Sequence, residues 1–137
     1  MNSTINSQNQ ALPRRRFRAS EISEHLDVNM IAQVCLGISL RGYCDLLANV
    51  FSMQSETLPK LLDALDTGNT KIINEYAHAF KGETISLGLL SLAQQAVIYE
   101  KNGSEFTVAE CECAASRLRE TWGTVHALCL RMGYVAA

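Results

Sequence analysis

Proline is nearly missing from this chain, with only Pro13 and Pro59 among 137 residues. So few breakers, and no run in which apolar and polar residues alternate, argue against a sheet and for helices. There is no glycine-rich loop to cradle a nucleotide and no compact carboxylate cluster to hold magnesium. Machinery for kinase chemistry of the chain's own is therefore not expected. Charge of neither sign dominates, and a formal net charge of −2 gives no general pull toward nucleic acid or a membrane surface. No uninterrupted apolar stretch approaches the length of a membrane span, and the N-terminus lacks the apolar core of a secretory signal. A cytoplasmic location is expected.

What is present suffices for one ordinary soluble domain: 47% of residues are hydrophobic, enough to build a core in a chain of this length. The cysteines (Cys35, Cys44, Cys111, Cys113 and Cys129) are odd in number and sit inside helical patterns, as reduced thiols that act as small apolar residues do. Cys111-x-Cys113, with His126 and Cys129, invites a metal site. Residues two apart on a helix point about 200° away from each other, however, so the pair cannot grip one ion there. No metal and no cofactor is expected on this chain.

Residues 1–19 stand apart. Met1 to Gln10 is rich in Asn, Ser and Gln, and Pro13 leads into Arg14-Arg15-Arg16-Phe17-Arg18. Such a composition buries too little apolar surface to fold, so a disordered basic tail is expected, with the folded domain at 20–137.

From Glu21 onward the spacing predicts helices. A short first helix covers 27–36, with Val28, Ile31, Val34 and Cys35 on its apolar side; Gly37 ends it and Ser39 caps the next. That second helix carries Leu40, Tyr43, Leu47, Val50, Leu58, Leu61, Leu62 and Leu65, with Pro59 expected to kink or divide it. Gly68 closes it, and Asn69 or Thr70 caps the third. Beyond Gly88 another helix runs to about Lys101, burying Leu90, Ala93 and Val97, and Asn102-Gly103 stops it. Thr107-x-x-Glu110 is a capping box opening the longest regular pattern: Cys111, Ala115, Leu118, Trp122, Val125, Cys129 and Met132, ended by Gly133. The expected fold is all-α, an antiparallel four-helix bundle with a short extra N-terminal helix.

The segment around His78 carries the chemistry. With Ile73 at zero on a helical wheel, Tyr76, Ala77, Phe80, Thr84 and Leu87 fall within about 60° and form one buried stripe. His78 falls at about 140° and Gly82 at about 180°, on an outer half shared with Lys71, Asn74, Glu75, Lys81 and Ile85. Glycine inside a helix costs roughly 1 kcal/mol against alanine, yet the apolar period runs on past Gly82 to Gly88. A missing side chain one turn beyond His78 leaves room for a phosphoryl group and an approaching partner. Lys81 supplies a flexible cation within reach of phosphoryl oxygens. A neutral imidazole has a free nitrogen able to attack phosphorus without an activating base.

His78, Phe80, Lys81, Gly82 and Gly88 resemble the core of the histidine-containing phosphotransfer (HPt) domain of two-component phosphorelays. That core reads roughly His-x-Leu-Lys-Gly, with a second glycine ten residues after the histidine. The resemblance covers about residues 26–133. Where the family has small residues after Lys-Gly, this chain has Glu83, Thr84 and Ile85. The resemblance implies that His78 carries a phosphoryl group between receiver-domain aspartates, with Lys81 stabilising it and Gly82 giving access. Lys71, Asn74, Glu75 and Ile85 would form the docking face. The implied partner is the receiver domain of a response regulator or of a hybrid histidine kinase, which would bring the magnesium ion. Neither autokinase activity nor a membrane or nucleic-acid partner is expected. Two other readings compete. One is a helical module that binds a receiver or kinase without accepting phosphate. The other is a DNA-binding regulator using the basic tail and the loosely helix-turn-helix-like Ile22–Val28 stretch, for which residues 29–38 offer few base-reading side chains.

Overall fold

The computed structural model describes residues 16–52 and 56–136. Six α-helices and one 3₁₀ turn, and no strand, occur among the described residues. They are α1 (Ala19–His25), α2 (Val28–Phe51), α3 (Thr57–Thr67), α4 (Thr70–Ser86), α5 (Leu90–Asn102) and α6 (Val108–Arg131), with the turn at Gly103–Glu105 before α6. The expected tail lies outside the described residues as far as residue 15. Phe17 packs, half-buried, against the core, and Ala19 opens α1.

Local chemistry accounts for the boundaries. The α6 capping box is complete: the Glu110 N–H donates to Thr107 Oγ1 at 3.1 Å and the Thr107 N–H donates to Glu110 Oε1 at 2.9 Å. Gly68 ends α3 with φ 67°, and Gly88 lies just beyond α4 with φ 72°, both in the left-handed region that glycine enters without penalty. Of the two outcomes expected at Pro59, a kink or a division, the structure shows division into two helices. The proline lies in the first turn of α3, where its missing N–H costs nothing, and α2 has already ended at Phe51.

The core is drawn from five helices. Tyr43 and Leu47 of α2, Leu61 and Leu65 of α3, Ile73 and Phe80 of α4, Leu92 and Ala96 of α5, and Leu118 and Leu128 of α6 are all fully buried. The closest helix pair is α4 with α5, and the next is α3 with α4. The Tyr43 hydroxyl donates to the Leu87 carbonyl at 2.7 Å, tying α2 to the end of α4. Leu90 and Val97, expected in the core, are only half-buried; Leu92, Ala96 and Tyr99 make the inner face of α5 instead.

Helix α2 departs most from expectation. The first break falls not at Gly37 but at Ser39, whose φ of 74° and ψ of 161° interrupt the helix. This backbone region is nearly reserved for glycine, and holding another residue there costs on the order of 1–3 kcal/mol. Ser39 does cap the second part of the helix, its Oγ accepting from the Gly42 N–H at 3.1 Å. Leu40, expected in the buried stripe, is 57% exposed, and Val28 is also exposed. By length and composition alone α2 is long and apolar enough to cross a membrane, contrary to the expectation that nothing in the chain approaches that length. Ile31, Tyr43, Leu47 and Val50 of this helix are buried against the rest of the protein.

Candidate functional site

Helix α4 buries Ile73, Ala77, Phe80 and Thr84, with Leu87 just beyond its end, while Tyr76 is half-buried. Thr84 resolves its polarity locally, its hydroxyl donating to the Phe80 carbonyl at 2.8 Å. The stripe fixes the rotation of the helix and turns His78 outward, its side chain 69% exposed. Lys71, Asn74, Glu75, Gly82 and Ile85 are on the outer half of the same helix; Lys71, Asn74, Glu75 and Ile85 are exposed, and Lys81 is half-buried. The helix continues through Gly82, and a Cβ placed there would meet nothing within 4 Å. The space one turn beyond His78 is open.

The structure adds a residue that the wheel does not show. Glu100 of α5 reaches across to α4 and holds both functional side chains, bonding His78 Nδ1 through Oε2 and Lys81 Nζ through Oε1, the latter at 2.5 Å. The Lys81 ammonium, and after it His78, keep the Glu100 carboxyl below the usual carboxylate range. An ionised carboxylate only accepts hydrogen bonds, so the proton of this pair sits on His78 Nδ1. In the neutral ring Nε2 then carries the lone pair.

A signal for Glu100 existed in the sequence. Folding α4 and α5 back on each other about Gly88 sets side by side residues of similar distance from the turn; His78 stands ten residues before it and Glu100 twelve after. Only the carboxylate at Glu100 combines that register with a position beside the buried Tyr99.

Each of the other two histidines has a partner of its own. His25 Nδ1 shares a 2.7 Å hydrogen bond with Ser91 Oγ at the start of α5. His126 stacks on Phe51 with ring centroids 4.6 Å apart, and burial pushes its pKa down. Neither joins His78. Cys111 is buried and Cys113 exposed, on opposite sides of α6 as the helical period requires, and no group of His, Cys, Asp and Glu among the described residues is arranged to hold a metal ion. Burial pushes the Cys129 thiol up to about 12, which leaves it protonated and inert.

Compared with protein-family models, with curated proteins and with solved structures, the chain matches none of them.

Proposed function

We propose that this chain is a histidine phosphotransfer protein of a two-component phosphorelay, folded as an antiparallel four-helix bundle with a short extra helix at its N-terminus. One observation carries the reading. An exposed histidine has its Nδ1 held by a carboxylate, with a lysine and a glycine that has open space beside it one turn away.

The Nε2 lone pair attacks phosphorus and forms the N–P bond while the donor's bond to phosphorus breaks and its leaving group departs. The imidazole keeps its proton on Nδ1, so the phosphorylated ring is cationic, and Glu100 lies against that charge. Lys81, already beside His78 through the shared carboxylate, has a short path to the phosphoryl oxygens. Transfer needs mainly in-line positioning and neutralisation of charge. The receiver domain of a response regulator or hybrid kinase supplies the acceptor or donor aspartate and its magnesium ion. Lys71, Asn74, Glu75 and Ile85 surround His78 as the docking face. The setting is cytoplasmic, and the protein carries the group without making it from ATP.

Intact-protein mass spectrometry after incubation with phosphoramidate tests this. Wild type should gain a single acid-labile phosphoryl adduct, and His78→Gln none. Glu100→Gln should label about tenfold more slowly, because the ring loses the partner that orients it and offsets its charge. Equal labelling of wild type and His78→Gln, or none of either, would overturn the proposal in favour of a bundle that binds its partner without accepting phosphate.

A further inference from the structure

Residues 16–38 form an arm attached to the rest of the described residues by a set of discrete contacts. Leu26 and Ile31 are buried, and Phe17, Ile22, Val34 and Cys35 are partly so. The Asp27 N–H donates to the Gly88 carbonyl at 2.8 Å, and His25 bonds Ser91. Both polar contacts reach the same place, the turn between α4 and α5. The arm ends at a residue whose backbone is held in a region that suits glycine, with Leu36 (89% exposed), Ile38 (45%) and Leu40 (57%) facing water on either side. A single copy of the chain leaves this hinge both strained and uncovered.

We propose that the arm, up to Ile38, exchanges between two copies of this chain. In the resulting dimer α2 becomes one unbroken helix through Ser39, and each arm docks on the Gly88 turn of the other copy. The exchange keeps every contact of the arm, because the same residues meet the same turn in the partner copy. It also releases Ser39 into ordinary helical geometry, where its neighbours restore the i to i−4 ladder that the break interrupts. No proline stands between Val28 and Phe51 to prevent this.

The occupant of the apolar patch is then a second copy rather than another protein, and charge supports that choice. From Val28 to Leu40 no residue is charged, so a two-fold axis near Ser39 brings two identical runs together without opposing like charges. Size supports it as well. Six apolar side chains on each of two arms, with the surfaces they cover, amount to on the order of 2,000 Å², within the range of stable dimers. His78 is not among the exchanged contacts, so the inference stands apart from the phosphotransfer reading.

Light scattering of the full chain across a concentration series, with two hinge variants, tests the proposal. Ser39→Ala favours the unbroken helix and keeps the strain of the bent form. Ser39→Gly relieves that strain and weakens the helix. The dimer dissociation constant should be at least about tenfold lower for Ser39→Ala than for Ser39→Gly, with wild type between. Exchange is distinguished from side-by-side association by cross-linking. In a background carrying Cys35→Ser, Cys44→Ser and Cys113→Ser, chains carrying His25→Cys and chains carrying Ser91→Cys are unfolded in urea, mixed, refolded and oxidised. A covalent dimer from the mixture, absent when either chain is refolded alone, is the expected result. Monomers at every concentration for all three hinge residues would overturn the proposal. So would a dimer that never links position 25 to position 91, or sedimentation with phosphatidylcholine vesicles in place of dimer formation.

Discussion

Helices α4 and α2 are both long and both rich in apolar residues, yet they use that apolarity differently. In α4 the buried positions form one continuous stripe from Ile73 to Thr84, and the opposite side carries polar residues, a glycine, His78 and the exposed Ile85. In α2 the buried positions are Ile31 and then Tyr43, Leu47 and Val50, with an exposed apolar stretch and a broken backbone between them. The first helix is rotationally locked, which is what a reactive side chain needs from its support. The second is anchored at its ends and unsettled in the middle.

Truncating large apolar side chains in the two helices should show the contrast most strongly. Phe80→Ala removes a fully buried ring from α4 and should cost about 3–5 kcal/mol in urea denaturation. Leu36→Ala in α2, at 89% exposure, should stay within about 0.5 kcal/mol for the monomer. A large loss for Leu36→Ala in dilute solution would erase the distinction.

A smaller effect is expected at the turn the two regions share. Gly88→Ala forces a side chain onto φ 72° and sets its Cβ 2.8 Å from Ile31 Cγ1, so both the α4 terminus and the arm's seat are disturbed. The expected cost is about 1–3 kcal/mol, and amide exchange should quicken in α1 and the first half of α2 before it does in α4. Uniform quickening would mean that the arm and the site helix open together.

The smallest effect concerns acid. Glu100 has its carboxyl lowered below its ordinary value of 4.5 by Lys81 and His78. The stability this gives is complete above that value and is lost as pH falls through the lower, folded-state one. Glu100→Gln should therefore flatten the acid limb of a stability-against-pH curve below about pH 4.5, by lowering the neutral plateau slightly while the two curves converge in acid. An unaltered acid limb would mean that Glu100 is not held as described.

Much of this architecture was legible in the residues, and the part that was not has a physical cause. The α4 stripe, the Thr107–Glu110 capping box and the glycine stops come from local periodicity and backbone sterics, which need no knowledge of the neighbours. The Ser39 cap was legible too, because a hydroxyl three residues before a backbone N–H is a local event. The failures are all matters of tertiary context. Leu40 lies at the right spacing for burial, but nothing packs over it once the helix breaks beside it. Glu100 belongs to another helix and enters the site only through the register set at Gly88. A single-helix wheel turns His78 outward and misses the carboxylate that bonds it.

The chain's one tryptophan lies between the two helices contrasted above. Trp122 of α6 rests 4.8 Å, ring centroid to centroid, from Phe51 at the last residue of α2, and 6.5 Å from Phe80, two residues past His78. Its indole is half-buried. The molecule thus contains its own optical probe. Ultraviolet emission from one native fluorophore would register a shift of α2 and a disturbance behind His78 in the same trace, without any label attached.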